Sequence, residues 1–389
     1  MPNPLAAHYS RFRVTERVLL TGHSHQAWPD VAFEAQQRAW LDAAELVDDK
    51  WGHALEQAAR VRAGFSRLIG DAPESIALGQ NTHELVTRWL SALAFTTRRR
   101  IVTTSGEFHT IRRQLDRLAE EGLEIVKVPA RPVEELSARL ASDVDDRTLA
   151  VMVSSVLYET AEIVPDLDRV AQACERHGVP LLVDAYHHLN VVPFDLRAMG
   201  IEGAFVTGGG YKYCQLGEGN CFLRVPTGTR LRPVLTGWFA EFEHVGEHPN
   251  APHPTVSYGV GAAAFAGATY DPTSHYRAAA VFDFHIAQGL TPDRLRAISM
   301  HQVWLLEQGV ATFDVDPAMC QVLEMPAHRR AGFLAIRSRR AADLAQALRQ
   351  HAVFADSRGD ILRLGPAPYV SDEQLQEAVT KLSRVVTGV

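Results

Sequence analysis

The chain has 389 residues, 46% hydrophobic and 22% charged, an ordinary soluble balance in a length that exceeds what one hydrophobic core fills, so two domains are expected. A net charge of -7 leaves no basic footprint for nucleic acid and no pull toward an anionic membrane surface, which points to small-molecule chemistry. Four cysteines (Cys174, Cys214, Cys221, Cys320) without a Cys-x-x-Cys pair, and no apolar run of about 18 residues, fit a cytoplasmic protein without structural zinc.

From the start, the apolar Val18-Leu19-Leu20 runs into a polar loop, Thr21-Gly22-His23-Ser24-His25, and a helix is expected after Pro29. Two histidines one residue apart can bind a metal, but no carboxylate or cysteine stands near them, and the better reading is a loop that reaches into a pocket. Apolar residues at spacings of three and four predict a helix over 51–69, ended by Gly70-Asp71-Ala72-Pro73. Ile76-Ala77-Leu78-Gly79-Gln80 then leads to a helix through Leu93 that Asn81 or Thr82 would cap. Such a helix start suits a phosphate, and a plain cap is equally consistent with it.

Strands and helices then alternate. Strands are expected at 101–104, 124–128, 149–154, 181–183 and 204–207, and helices at 109–120, 133–140 and 167–176. That order predicts an α/β fold: a mainly parallel sheet with helices on both faces, and ligands at the carboxyl ends of its strands. Phe108, Asp184 and Lys212 all fall just past strand ends. Residues 243–254 read as a loop. From about 290 the texture changes to a smaller α+β domain, with helices at 290–306, 341–349 and 372–385 and strands at 332–336, 352–355 and 361–364. The expected division is 46–289 for the large domain and 1–45 with 290–389 for the small one.

The chemistry centres on Gly208-Gly209-Gly210-Tyr211-Lys212-Tyr213, where three glycines let the backbone turn sharply and present an amine between aromatics. Desolvation there lowers a lysine's pKa and makes it a nucleophile toward an aldehyde, although an ordinary surface lysine fits the same residues. A phosphate-binding loop of the Gly-Lys-Ser/Thr kind is excluded, because tyrosines flank Lys212 on both sides. Asp184 lies 28 residues upstream (212 minus 184), one helix-plus-strand unit, so it can stand on the neighbouring strand. The two could form a buried salt bridge. A cofactor with a ring nitrogen, an aldehyde and a phosphate would use Asp184, Lys212 and the Asn81-Thr82 helix start with Tyr211; pyridoxal phosphate is such a molecule.

Asp184-Ala185-Tyr186-His187, Tyr211-Lys212-Tyr213, Gly237-Trp238-Phe239 and Arg363 in Ile361-Leu362-Arg363-Leu364-Gly365 together resemble the class V aminotransferase branch of fold-type I pyridoxal-phosphate enzymes, and within it the kynureninases, from about residue 50 onward. The resemblance implies an aldimine on Lys212, with Asp184 holding the ring nitrogen protonated and Phe108, or His109 beside it, stacked on the ring. It also implies phosphate contacts from Thr82, His187 and Tyr211 with Asn81 in support. Arg363 would grip the substrate α-carboxylate, for which a bidentate arginine suits better than lysine; His25, on the loop that reaches into the pocket, is the other candidate substrate contact. Family members are homodimers with shared active sites, which places Trp238 and residues 265–273 at the neighbouring subunit's cofactor.

Two departures bear on the substrate. Ala240 and Glu241 follow Phe239 where kynureninases carry a small residue and histidine, and Tyr270-Asp271-Pro272 stands where they have asparagine before proline. An ionised aspartate only accepts hydrogen bonds. The expected reaction is hydrolytic cleavage of a C–C bond in the side chain of a small amino acid. The alternatives are a class V aminotransferase, a β-eliminating C–S lyase, or a relative that binds the cofactor without catalysis. Persulfide transfer is disfavoured, because no cysteine occurs between Ala331 and Arg363.

Overall fold

The computed structural model describes residues 3–244 and 255–387, so residues 245–254 of the expected 243–254 loop lie outside the described residues. A two-residue strand β1 (Val18–Leu19) precedes α1 (Val31–Leu46) and α2 (Lys50–Ile69). On α2, Ala54, Ala58, Val61, Phe65 and Ile69 bury one face, and Gly70 stops the helix in a left-handed conformation (φ 69°) that glycine takes without strain. β2 (Ile76–Gly79) leads to α3 (Thr82–Leu90), whose N-cap is Asn81: its Oδ1 accepts from the Glu84 N–H at 2.8 Å.

The expected alternation follows as β3 (Arg100–Thr104), α4 (His109–Glu120), β4 (Glu124–Val128), α5 (Leu136–Ser142), β5 (Thr148–Ser154), α6 (Leu167–Arg176), β6 (Leu181–Asp184) and β7 (Phe205–Gly209). Then comes β8 (Cys221–Arg224), whose four residues carry no period of their own. These strands form one sheet in the order β2-β8-β7-β6-β5-β3-β4, in which β8 alone runs against the rest. Strand residues alternate between two cores. Val102, Val151, Val153, Val183 and Val206 pack with Phe65, Leu136 and Val170, whereas Ile101, Ala150, Met152 and Leu182 pack with Leu85, Trp89 and Leu115. Both faces are therefore covered by helices, which is why these strands read as continuous apolar runs.

α7 (Thr273–Ala287) was not anticipated from the sequence. It packs against α1 and α2 and buries Ser274, His275, Tyr276 and Arg277 along with its apolar residues, so no apolar stripe marks it. α8 (Pro292–Ala311), β9 (Gln321–Val322), β10 (Leu334–Arg337), α9 (Ala341–Gln350), β11 (Val353–Phe354), β12 (Asp356–Arg358), β13 (Ile361–Leu364) and α10 (Asp372–Thr387) complete the protein. A second sheet, β12-β13-β10-β9, is antiparallel throughout. The architecture is thus an α/β fold with a large, mainly parallel sheet and a small antiparallel one.

The N-terminal segment joins the second unit. β1 pairs in parallel with β11, Thr21 bridges Gly365, and Leu5, Tyr9 and Leu20 share a core with Leu306, Ile336, Leu362 and Tyr369. A two-residue turn, Gly359-Asp360, joins β12 to β13 with Gly359 at φ 56°, and the resulting register sets Asp356 directly opposite Arg363.

Candidate active site

Lys212 follows β7 at the carboxyl end of the sheet. Gly208, Gly209 and Gly210 are needed there for close approach rather than for the sharp turn expected of them. None has a positive φ, and a Cβ would strike Leu189 at Gly208, Tyr186 and Cys221 at Gly209, and Leu216 at Gly210. The lysine is 3% exposed, with its Nζ 4.5 Å from the Tyr186 ring centroid, 5.1 Å from that of Phe108 and 5.6 Å from that of Tyr211. Burial pulls its pKa down to about 7, against the opposing field of Asp184.

Asp184 ends β6, the strand paired with β7, as the 28-residue spacing anticipated. Its Oδ1 accepts from the Tyr186 N–H at 2.9 Å, and burial raises its pKa because neither that bond nor the field of Lys212 offsets desolvation. Among the described residues no contact ion pair joins Asp184 to Lys212, so the simple salt-bridge reading gives way to two ionisable groups facing one cleft. Both line a cleft of about 230 Å³, together with Asn81, Thr82, Phe108 and Tyr211.

His187 lines the same cleft as Asn81 and Thr82, and its Nε2 lies 2.6 Å from Lys212 Nζ. Burial and the nearby cations keep the imidazole neutral, so Nε2 accepts from the lysine and the proton belongs on Nδ1, a buried atom without a hydrogen-bond partner. Of the two aromatic candidates at the start of α4, Phe108 lines the cleft, whereas His109 is exposed and lines a separate surface groove. The Tyr211 hydroxyl is pushed up to about 12 by burial and stays protonated.

The N-terminal histidines part company. His25 stacks on Tyr211 (centroids 5.1 Å apart, planes at 22°) at the rim, whereas His23 is fully buried with Nε2 2.7 Å from Asp356 Oδ1. Arg363, 2% exposed, spends three of its N–H groups inside the protein, on both oxygens of Asp356 and, from Nη1, on the Tyr158 carbonyl at 2.7 Å. Trp238 is not brought to the lysine: it is 47% exposed, donates from Nε1 to Thr269 Oγ1 at 3.2 Å and packs on Phe239 and Phe242.

Several residues here gave no signal in the sequence. Tyr158 lines the cleft between Phe108 and Arg363. Glu107 sits buried beneath it, pushed up to about 7 by desolvation, held by Thr104 Oγ1 at 2.8 Å and Ser154 Oγ at 2.7 Å. For Asp356 the one available signal was the Gly359-Asp360 pair, which suits a two-residue hairpin turn and would set Asp356 opposite Arg363, but the polar Asp356-Ser357-Arg358 before it does not read as a strand.

The lysine's perturbation gives a direct test. Its neutral fraction grows as pH rises through about 7, so labelling of cofactor-free protein at Lys212 by a small aldehyde with borohydride should climb to a plateau just above that value. A midpoint near the ordinary lysine range, read by peptide mass spectrometry, would mean that the amine is hydrated.

With this geometry in place, comparison with known proteins is informative. The family model "Aminotransferase class-V" matches residues 46–237, and "Kynureninase C-terminal domain" matches 295–382. An uncharacterized aminotransferase, YcbU, of Bacillus subtilis is 23% identical over 88% of this protein and 88% of its own length. A kynureninase of Geobacillus thermodenitrificans is 24% identical over 84% of this protein and 77% of its own length, and a cysteine desulfurase, IscS, of Rickettsia africae is 25% identical over 48% and 45%. Among solved structures, a mutant of C-DES with glycine covalently linked to its PLP cofactor superposes with a TM-score of 0.84 at 18% identity, covering 98% of this protein and 99% of that one. A cysteine desulfurase from Thermococcus onnurineus follows at 0.83 and 16% identity, covering 100% and 99%. At such identities the superpositions speak to the fold.

Proposed function

From the premise that the protein belongs to the class V aminotransferase branch of the pyridoxal-phosphate enzymes, we propose that it hydrolytically cleaves a C–C bond in the side chain of a small amino acid, in the manner of a kynureninase. The observation that carries this reading is the kynureninase-type C-terminal match, which spans the strand bearing Arg363. The cysteine distribution favours a second reading, a β-eliminating C–S lyase. The cysteines at 174, 214 and 221 are buried and Cys320 is half-buried, and none precedes Arg363 on the segment from Ala331, which suits elimination better than persulfide transfer.

The residues present fit the cofactor. An orphaned N–H on His187, a buried amine, a raised carboxylate without a contact cation and a capped helix start all face one cleft. When bound, pyridoxal phosphate supplies an electron sink for the substrate's α-carbon. In this reading Lys212 anchors it and moves the α-proton, Asp184 stands against the ring nitrogen, and the orphaned His187 N–H meets an acceptor at the lysine end. Phe108 covers the ring, Asn81 and Thr82 with the first turn of α3 hold the phosphate, and Tyr211 donates a hydroxyl that stays protonated. Arg363 takes the substrate carboxylate and His25 closes the rim. We assign residues 46–289 to the cofactor-holding domain and 1–45 with 290–389 to the smaller one.

We place the protein in the cytoplasm as a homodimer. No helix among the described residues is long and apolar enough to cross a membrane. Val234, Leu235, Trp238, Phe242 and Val260 leave large apolar side chains exposed on neighbouring segments, more than scattered surface residues account for. Light scattering should give twice the monomer mass of 42.9 kDa, and Trp238→Ala should lower it. The reaction is decided by products: incubation with a panel of amino acids should release alanine from a larger substrate. Pyruvate with ammonia would establish elimination, and a keto acid with the amine retained on the cofactor would establish transamination.

A further inference from the structure

Arg363 is buried behind Tyr158, a residue that lines the cleft, and its guanidinium is already engaged. Its Nε donates to Asp356 Oδ1 at 2.8 Å and its Nη2 to Oδ2 at 2.5 Å, a side-on bidentate pair, while Nη1 is held by the Tyr158 carbonyl at 2.7 Å. Of the five N–H groups of an arginine, this leaves one on each terminal nitrogen for a further acceptor. Asp356 is fixed in turn. His23 Nε2 reaches its Oδ1 at 2.7 Å, and the imidazole is packed at 4.6 Å against Phe333, over which the Arg363 guanidinium also lies at 5.6 Å. The imidazole lies against Gly365, where a Cβ would strike it. Burial lowers the His23 pKa to about 4, which leaves it neutral and donating from Nε2, and its bond with that of Arg363 holds the Asp356 carboxyl ionised. The parallel β1–β11 pair and the Thr21–Gly365 bridge bring the His23 loop beside the β12–β13 hairpin that carries the other two.

We propose that Asp356, locked by His23, is a positioning residue for substrate recognition: it presents Arg363 with its remaining N–H groups aimed for the amino acid's carboxylate. The inference rests on the reading that Arg363 binds that carboxylate. A rival arrangement has the same atoms, with Asp356 occupying the substrate's own place and competing with it. The two differ in sign, since loss of a positioning residue weakens carboxylate binding and loss of a competitor strengthens it. Arg358, whose Nη2 is 3.8 Å from Asp356 Oδ2, adds a second guanidinium on the same face of the hairpin, so this patch stays net positive beside the clamp.

The test titrates the holoenzyme with L-alanine and with ethylamine, the same molecule without its carboxylate, following the cofactor's visible absorbance. Asp356→Asn should weaken alanine binding about tenfold or more and leave ethylamine within about twofold, because misplacing one recognition group costs on this scale. His23→Ala should act in the same direction, and His23→Gln, whose amide can still donate to Asp356, should recover most of the loss. Arg363→Ala is the control for the underlying reading: if it leaves the alanine-to-ethylamine ratio unchanged, Arg363 is not the carboxylate site and the inference falls with it. If Arg363→Ala removes the discrimination while Asp356→Asn leaves or tightens alanine binding, the positioning role alone is overturned. Should Asp356→Asn fail to fold, equal alanine affinities for His23→Ala and wild type overturn it just as well.

Discussion

Lys212→Ala should fold, take up pyridoxal phosphate more weakly and turn over its substrate about a thousandfold or more slowly than wild type, the scale expected when a nucleophile and proton carrier is lost. The fold should survive because the amine's hydrogen-bond partner is His187, so its removal takes a desolvated amine out of the core and leaves His187 Nε2 beside a cleft that can admit water. Borohydride treatment of wild-type holoenzyme should fix the cofactor on the peptide carrying Lys212, and intact mass should show no such gain in the variant. A Lys212→Ala protein that still acquires the adduct would place the reactive amine elsewhere. Added alkylamine should restore part of the turnover, since a diffusible base can reach the vacated cleft beside Phe108 and Tyr186.

Asp184→Asn should keep the cofactor and lose about a hundredfold or more in turnover, because a neutral amide no longer favours the protonated ring nitrogen. Stability should move the other way. In cofactor-free protein the Asp184 pKa lies above its unfolded value, mainly through burial. The folded state therefore binds this proton more tightly. The corresponding stability is present below the unfolded pKa and is lost as pH rises through the folded one. At neutral pH the cofactor-free wild type carries a buried carboxylate without a contact cation, and Asp184→Asn should melt at a higher temperature than it does. With cofactor bound the order should reverse or vanish, since the ring nitrogen supplies the missing charge. A variant with unchanged turnover would remove Asp184 from the electronic role, and cofactor-free melting in the opposite order would mean the carboxylate is better solvated than its burial implies.

Much of this architecture is written locally. The helix over α2, the Asn81 cap and the apolar runs of β5, β6 and β7 follow from periodicity and capping chemistry that act within a few residues. Asp184 comes beside Lys212 because β6 and β7 pair in parallel, but residues 185–204 between them form turns and not the helix that the 28-residue spacing suggested. α7 was not legible for a physical reason: most of its faces are buried, so polar and apolar residues are buried alike and no clear amphipathic stripe marks it. Tyr276, for instance, donates to Asp42 from across the helix layer. β8 was not read from the sequence, and its direction is decided by the ladder it makes with β7 and β2.

The sequence by itself determined the alternating fold and singled out Lys212, Asp184 and the Asn81 helix cap, because each rests on strand runs, capping or spacing that act within a short stretch of chain. Only the tertiary structure decided which partner each polar atom keeps. His187 turns to Lys212, His23 leaves His25 to lock Asp356, Phe108 rather than His109 lines the cleft, and Arg363 meets an aspartate before it meets a substrate. Those choices depend on ångström-scale distances between residues remote in sequence, where desolvation makes each unpaired group costly and each pairing selective.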